Sequence, residues 1–378
     1  MSRLEDFEWM LNYMKTLNPT NAKILEGLSK YGPRNISSLA KSIGLPPTTV
    51  AFRIKKLVKE GYLKIKAKLD YSKLGLMRAV VIAETVPGFE ERLRRIIENF
   101  GYWTYITKCY GKFNGFYNIL ALPEEDKKEL EAYLNEALNL KVLSSYVLFW
   151  VTDLCEVAPN FDWFSSEKKE WRFLWQHWID ELLQASQELP PGLKNPETYS
   201  INVDEADLLI LKELEKNGTA EFTRLAKVVN TTPQSVRYRY FKHVVKRNLI
   251  TGYEVSIFPY PIQVSDMCSF IIDFESKEKL AQFSNTLQHK PFVLSYAKVL
   301  GQNSLVVHTY TPKLEFPKFI DSLSRLTREN VVTNFFYVTL DISSSKRQTV
   351  SYEFFKENAW TCNQRESLEK LKNIGIQY

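Results

Sequence analysis

Basic and short polar side chains alternate with apolar ones in the segment TTPQSVRYRYFKHVVKRNLI, residues 231–250. An earlier segment, LPPTTVAFRIKKLVKEGYL at residues 45–63, has the same order of residue types. In both segments the apolar residues recur at the spacing of an amphipathic helix. Lys and Arg can bind phosphate oxygens, while Gln and Thr can bond base edges. Both segments therefore offer the chemistry of nucleic-acid binding.

A helix over either segment would present a polar face opposite its apolar stripe. Short polar residues at the start of a recognition helix meet base edges, and the flanking basic residues hold phosphates. The predicted DNA-binding residues are Thr48, Thr49, Phe52, Arg53, Lys55, Lys56, Gln234, Ser235, Arg237, Tyr238, Arg239, Lys242 and Lys246. Phe52 and Tyr238 are predicted to point outward, and burial against a neighbouring domain is the alternative for both.

Other site chemistry has little support in the sequence. The four cysteines are far apart, form no Cys-x-x-Cys motif and are predicted to be reduced thiols: Cys109, Cys155, Cys268 and Cys362. There is no Ser-His-Asp order, no phosphate-binding glycine loop and no paired-carboxylate motif. His243 falls on the apolar side of its segment and is interpreted as a core-edge residue. No enzymatic activity, cofactor or metal is predicted.

Composition indicates well-packed domains and permits a polyanionic partner. The chain has 378 residues, 44% of them hydrophobic, and a net charge of +6. Two to four domains are expected at this length. The first 20 residues have charges throughout and do not form a signal peptide, and no apolar run reaches the ~20 residues of a membrane helix. A soluble, cytoplasmic protein without a membrane partner is predicted.

The chain contains one pattern twice, 186 residues apart, since NAKILEGLSK aligns with DLLILKELEK and Leu25 with Leu211. Without a gap, Leu39, Pro47, Val50, Arg53 and Lys56 then align with Leu225, Pro233, Val236, Arg239 and Lys242. Each copy shows an amphipathic helix and a short second helix, for which Ser37 or Ser38 is the predicted N-cap. Gly44 and Asn230 suit left-handed C-caps, and Pro47 and Pro233 suit a first helical turn.

After the third helix, YLKIKAKLDY and LITGYEVSIF alternate as strands do and are interpreted as a wing. Helix, short helix, turn, basic helix and wing form the layout of a winged helix-turn-helix. A helical module that binds protein and has no nucleic-acid partner is the alternative. After the winged unit of each copy, strand and helix patterns follow in the order βαββαβ of a ferredoxin-like domain. The predicted fold class is therefore α+β.

The arrangement resembles the leucine-responsive regulator and AsnC-like transcription factors. SVRYRYFKHVVKRNLITGYEV resembles their recognition helix and wing, and YGKFNGFYNILAL resembles a stretch that lines a small-molecule pocket. The resemblance covers nearly the whole chain, twice. It implies a DNA-binding regulator, a homodimer formed through the ferredoxin-like (RAM-type) sheets, and effector binding by Gly111, Asn114, Tyr117, Asn118, Asn303 and Ser304. The Gly and Asn residues among them could equally be ordinary hairpin-turn residues.

Two features depart from that family. Its members usually carry a single copy, and Gly115 to Asn118 has no match in copy two. AsnC-like folds also occur in siroheme decarboxylases, so a tetrapyrrole enzyme is a second alternative to a regulator.

The domain boundaries follow from these patterns. Winged helix-turn-helix units are predicted at 1–70 and 201–258, ferredoxin-like domains at 71–158 and 259–345, a Trp-rich helical linker at 159–200 and a tail at 346–378. The linker stripe, which includes Trp171, Trp175 and Trp178, is predicted to clamp the copies or to contact a second chain. YEFFKENAW in the tail is interpreted as its counterpart.

Overall fold

The computed structural model describes residues 18–158, 161–165, 167–168, 170–256, 260, 262–361 and 367–371. The interpretation of the N-terminal segment up to residue 17 and the predicted thiol of Cys362 lie outside these ranges. The other three cysteines are free thiols, as predicted. Among the described helices, none combines the length and apolarity needed to cross a membrane.

Each repeat copy begins with three helices. In copy one they are α1 (Pro19–Tyr31), α2 (Ile36–Ile43) and α3 (Pro47–Lys59), followed by β1 (Lys64–Leu69). In copy two they are α7 (Glu205–Lys216), α8 (Phe222–Val229) and α9 (Pro233–Arg239), followed by β9 (Ile250–Ser256). Gly44 and Asn230 end the second helices in left-handed conformations, as predicted. The N-cap of α2 is Asn35, not Ser37 or Ser38, because the Asn35 side chain accepts a hydrogen bond from the Ser38 backbone.

The predicted wing takes an unexpected form. Each copy supplies one strand, and β1 pairs with β9 in an antiparallel ribbon that joins the copies. Ala67 lies opposite Tyr253, and these two residues are themselves repeat equivalents. A pseudo-two-fold axis therefore passes close to this pair. Each strand also packs under the first helix of the other copy, since Gly218 donates its backbone N–H to Ile65 and Gly32 lies against the Tyr253 ring.

The two ferredoxin-like domains follow the predicted order. Domain one contains β2 (Leu76–Thr85), α4 (Glu90–Phe100), β3 (Trp103–Gly111), β4 (Gly115–Pro123), α5 (Lys127–Asn139) and β5 (Leu143–Val151). After a short β6 (Cys155–Glu156), domain two contains β10 (Ser265–Phe274), α10 (Lys277–Leu287), β11 (Val293–Lys298), β12 (Ser304–Pro312), α11 (Phe316–Arg328) and β13 (Val332–Leu340). The βαββαβ prediction is confirmed in both.

The two sheets close into one barrel. Their strands run in the order β5-β2-β4-β3-β13-β10-β12-β11, and a bridge between Val151 and Val299 joins β11 back to β5. Eight strands leave an interior that side chains can largely fill. Buried residues of both domains do so, including Val80, Tyr117 and Val306, while the helices lie outside. The sheet-to-sheet contact expected between two chains is thus made within one chain. A homodimer stays a prediction, and a second copy would need another surface.

Two arms cross between the copies. After the hairpin of β7 (Phe164–Ser165) and β8 (Glu170–Trp171), linker helix α6 (Trp175–Leu183) packs on domain two, where the Trp178 indole donates to Thr286. These contacts lie within domain two, so clamping of the two copies and contact with a second chain both stay predictions. The tail packs on domain one instead, and the Trp360 indole donates to the carbonyl of Leu74. YEFFKENAW is not a helix, because it forms a 3₁₀ turn and the hairpin of β15 (Phe355–Lys356) and β16 (Ala359–Trp360). A two-residue strand, β14 (Lys346–Arg347), pairs antiparallel with β3.

Candidate nucleic-acid interface

The third helix of copy one presents the predicted polar face. Val50, Ile54 and Leu57 are buried against the domain core. Thr48, Lys55 and Lys56 are exposed and Thr49 is half-buried. Phe52 is 68% exposed, so the alternative of burial does not apply within this chain. The exposed face of α3 thus presents hydroxyl groups, an aromatic ring and ammonium groups on successive turns of the helix.

The matching helix of copy two has the same exposure but a different backbone. Its N-cap is Thr232, whose hydroxyl accepts from the Ser235 backbone at 3.2 Å. Gln234, Arg237, Lys242 and Lys246 are exposed, and Tyr238 is 60% exposed. From Tyr240 to Val245 the helix continues as a π-helix, whereas α3 is α-helical over the equivalent span. A π segment widens the turn and rotates the residues after it.

Arg53 and Arg239 need a correction. The Arg53 guanidinium donates to the Asn21 side chain at 3.0 Å, and Arg239 donates to Asp204 at 2.7 Å and to Asp207 at 2.9 Å. Asn21 and Asp207 are repeat equivalents, like the two arginines. Both guanidinium groups therefore hold the third helix to the first helix of their own copy. They position the interface, and these internal contacts take the place of the predicted phosphate contacts.

His243 belongs to the same cluster. Its Nδ1 lies 2.9 Å from the Asp207 carboxylate, which is fully buried. Asp204, Asp207 and His243 offer ligand atoms within 4.8 Å of one another. The Arg239 guanidinium already brings a positive charge to both carboxylates. This arrangement favours an ion-pair network over a metal site.

One further contact ties the two copies together near the pseudo-two-fold axis. The Arg34 guanidinium of copy one lies 4.7 Å from the Phe222 ring centre and 4.9 Å from that of Tyr240. Its Nη2 donates a hydrogen bond to the backbone carbonyl of Ala220. Arg34 and Ala220 occupy equivalent positions in the two copies. Desolvated cation–π contacts of this kind stabilise an interface. The two third helices are therefore held in a fixed mutual orientation.

A cavity of about 760 Å³ lies between the ribbon and the open end of the barrel. Its apolar wall includes Leu154, Trp171 and Met267. Its charged lining consists of Lys64, Lys66, Lys68, Arg78, Lys216, Lys290, Arg347, Asp153, Glu156, Glu215 and Glu254. The cations outnumber the acids by seven to four. A cavity of this size matches those that hold small organic ligands.

Burial perturbs the ionisable groups of this cavity. It raises the pKa of Asp153 to about 7, although Arg78 opposes the change. Burial also raises the pKa of Glu156 to about 7, with Glu254 as a second cause. In the opposite sense, burial lowers the pKa of Lys66 and of Lys68. Perturbed groups that converge on a cavity mark a candidate binding site.

A buried polar relay reaches the same cavity from inside the barrel. The Tyr117 hydroxyl lies 2.7 Å from His308 Nε2, and the Ser295 hydroxyl lies 2.7 Å from His308 Nδ1. Burial, with a further contribution from Arg347, lowers the pKa of His308 to about 4. His308 is thus neutral at physiological pH, and both ring nitrogens are engaged.

The six predicted effector residues do not converge. Tyr117 points into the barrel, whereas Asn118 donates to the carbonyl of Val81 on the helix side of the sheet. Gly111 and Asn114 form one turn, in which the Asn114 side chain accepts from the Gly111 backbone. Asn303 and Ser304 belong to the matching turn of domain two, where the Ser304 hydroxyl donates to Asp273. Effector binding by these six residues stays a prediction, and the turn contacts account for Gly111, Asn114 and Ser304 without a ligand.

The residues that line the cavity were not among the predicted site residues. Lys64, Lys66 and Lys68 alternate with buried Ile65 and Ala67, which places the three lysines on one face of β1. That alternation was a usable signal. Arg78 and Arg347 carried no comparable signal, because they meet only when the tail crosses to domain one.

Comparisons with known proteins agree with this geometry. A family model described as winged helix-turn-helix DNA-binding matches residues 17–64, and one described as AsnC-type helix-turn-helix domain matches residues 203–242. A proline dehydrogenase transcriptional activator of Rhizobium radiobacter is 30% identical over 141 residues, which cover 34% of this chain and 86% of that protein. An uncharacterised HTH-type transcriptional regulator of Pyrococcus furiosus is 44% identical over 61 residues, or 16% of this chain; the chain spans only 41% of that relative's length.

Among solved structures, the siroheme decarboxylase NirDL superposes on most of the chain. The TM-score is 0.56 at 15% identity, with 93% of this chain and 98% of that chain covered. At such identity the likeness concerns the fold alone.

Proposed function

The chain belongs to the Lrp/AsnC family of transcription regulators, and from that premise we propose that it regulates transcription by binding double-stranded DNA. The observation that supports DNA binding most directly is the pair of exposed third helices, which the ribbon holds about one pseudo-two-fold axis. In helix-turn-helix dimers, two such helices enter successive major grooves about 10 base pairs apart. Here one chain supplies both helices. We further infer that the protein acts in the cytoplasm.

The two half-sites should differ in sequence. Copy one offers Thr48, Thr49 and Phe52, whereas copy two offers Gln234 and Tyr238. Gln can bond adenine through two hydrogen bonds, while Thr and Phe favour contact with a thymine methyl group. We therefore infer an asymmetric site with two unlike halves.

Phosphate binding should be stronger in copy two. The net charge is +5 from Arg237 to Arg247 and +3 from Ala51 to Glu60. The internal ion pairs of Arg239 reduce this difference but do not remove it. Arg237, Lys242 and Lys246 of copy two remain exposed.

The test is duplex binding as a function of salt. Binding to a DNA fragment should weaken steeply with rising salt, because phosphate contacts release counterions. The double variant Arg237→Ala, Lys242→Ala should reduce the slope of log affinity against log salt by about 2. A matched double variant on the outer helices of the barrel, Lys128→Ala, Lys277→Ala, should leave the slope unchanged. Absence of duplex binding at low salt, or equal slopes in both variants, would refute the proposal.

A second candidate function is tetrapyrrole chemistry, because the protein with a similar fold, NirDL, is a siroheme decarboxylase. The observation in its favour is the cationic cavity with neutral His308 at its edge. A protein of this kind would take up added siroheme, with a shifted absorption band that His308→Ala alters. Unchanged siroheme absorbance in the presence of the protein would remove this candidate.

A further inference from the structure

The strongest feature outside the DNA-facing surface is the cavity beneath the ribbon. The Arg78 side chain lines it and is only 6% exposed. Its Nε and Nη1 have no hydrogen-bond partner among the described groups. Buried donors that carry charge are costly to leave unpaired. Arg78 therefore offers two unused donors to a ligand in the cavity.

The acids around Arg78 are already engaged by other donors. Asp153 accepts from the Tyr71 backbone at 3.1 Å, and Glu215 accepts from the Tyr71 hydroxyl at 2.7 Å. Glu254 pairs with Arg347 at 3.3 Å. Arg78 itself lies over the Tyr71 ring at 4.2 Å, and its charge acts on Asp153 and Glu215. Its Nε and Nη1 nevertheless lack acceptors among the described groups, and an incoming anion would supply them. Lys66 and Lys68 add positive charge from the ribbon.

The cavity also constrains the rest of the ligand. Its volume of about 760 Å³ and its apolar wall exceed what an inorganic ion needs. Ligand pockets of this kind bury an apolar skeleton and fix it with few polar groups. Lys66 and Lys68 on the ribbon and Arg78 on strand β2 line the cavity from separate elements, which suits a ligand with more than one anionic group.

We propose that this cavity binds an organic anion that carries several carboxylate or phosphate groups on an apolar skeleton, and that the anion fixes the ribbon joining the two copies. The ribbon follows each recognition helix after four residues, Glu60 to Leu63 in one copy and Lys246 to Leu249 in the other. A ligand that holds β1 and β9 in place therefore sets the spacing of the two helices. This regulatory consequence rests on the proposed DNA binding, whereas the binding site itself does not.

The binding test uses pyrene tetrasulfonate, a fluorescent polyanion with an apolar skeleton. It should bind saturably, and Arg78→Met and Lys66→Met should each weaken binding by about tenfold or more, since each removes a charged donor. Arg95→Met, on the exposed face of α4, is the matched control and should bind normally. Lys66 is half-buried on the ribbon, so its variant keeps the test decisive if Arg78→Met does not fold. Equal affinity in all variants, or no saturable binding, would overturn the site.

Competition identifies the chemical source of the anion. Displacement of the probe by citrate but not pyrophosphate assigns a polycarboxylate, and the reverse assigns a polyphosphate. Displacement by neither, together with unchanged binding in Arg78→Met, would refute the anion site.

Amide hydrogen exchange tests the coupling without DNA. The bound probe should slow exchange at 64–69 and 250–256 and leave the outer helix α11 unchanged. Binding without protection of the ribbon would overturn the coupling. Failure of the proposed function would look different, because duplex binding would be absent while probe binding and ribbon protection persisted.

Discussion

The two winged-helix copies keep one architecture but anchor their recognition helices with different chemistry. In copy one, Arg53 donates to the neutral side chain of Asn21, and the helix is α-helical to its end. In copy two, Arg239 and His243 share the buried carboxylate of Asp207, and the helix changes to a π-helix at Tyr240. Duplication thus preserved the arginine that locks helix three to helix one. Its partner and the helix beyond it diverged.

This difference separates positioning from recognition. The hydrogen bonds of Arg53 and Arg239 fix the third helix of each copy, while the exposed residues on the outer face of that helix are free to differ. The copies can therefore present unlike surfaces from the same scaffold, which is what an asymmetric DNA site requires.

The largest expected effect is on the anchors themselves. Asp207→Ala should lower the free energy of unfolding by about 3 kcal/mol, because Arg239 and His243 lose a buried partner. Asn21→Ala should cost only about 1 kcal/mol, the value of a neutral hydrogen bond. Urea unfolding measures both. Equal costs would show that the two anchors do not differ as their geometry indicates.

Lys242 and Arg239 of copy two should respond differently to substitution, with smaller effects than those at the anchors. Lys242→Ala should lower duplex affinity severalfold and leave the melting temperature unchanged, because its ammonium group is exposed. Arg239→Ala should lower the melting temperature, because Asp204 and Asp207 lose their ion pair. Thermal unfolding and DNA titration of both variants decide the assignment. A stable Arg239→Ala protein with lost DNA affinity would restore Arg239 as a phosphate contact.

The acids that follow the last strand of each ferredoxin-like domain should respond oppositely to pH. Burial raises the folded-state pKa of Asp153 to about 7, so its stabilising contribution is present at low pH and declines as the pH rises through 7. Burial also raises the pKa of Asp341, but hydrogen bonds from Ser343 and Ser344 outweigh it and leave the pKa below its ordinary value. The contribution of Asp341 is therefore lost as the pH falls through that lowered value.

Stability measured from pH 5 to 8 tests the first sign. Asp153→Asn should reduce the decline between pH 5 and 7, and Asp341→Asn should leave it in place. An unchanged profile in Asp153→Asn would contradict a raised pKa.

The smallest effect on stability is expected for the exposed rings. Phe52→Ala and Tyr238→Ala should each change unfolding free energy by less than about 0.5 kcal/mol, since both side chains are mainly in solvent. Each should instead relax base preference in its own half-site, as measured by binding to a randomised duplex library. A large loss of stability would indicate that the ring packs against another chain.

Much of the fold was readable because its signals are local. Helical periodicity, the turn residues Gly44 and Asn230, and the repeat itself predicted both winged units and both βαββαβ domains. The ribbon, the closed barrel and the crossed arms depend on contacts between residues far apart in sequence. Alternation in β1 predicts a strand but cannot name β9 as its partner.

The predicted DNA-binding residues also divide into those set by local helix geometry and those set by contacts distant in sequence. Exposure of Thr48, Phe52, Gln234 and Tyr238 could be predicted from helix geometry. The internal roles of Arg53 and Arg239 could not, because the distance to Asn21 and Asp207 is set by helix packing. The cavity required three elements from separate parts of the chain to meet at Arg78.

The most direct test of the central claim is the site selected from random duplexes, measured together with the mass of the complex. We predict one chain bound to one duplex, with two unlike half-sites centred about 10 base pairs apart. Exchange of Gln234 and Ser235 for Thr should then alter one half-site only. A symmetric palindrome, or a complex that forms only with two chains, would contradict a single chain that reads both halves.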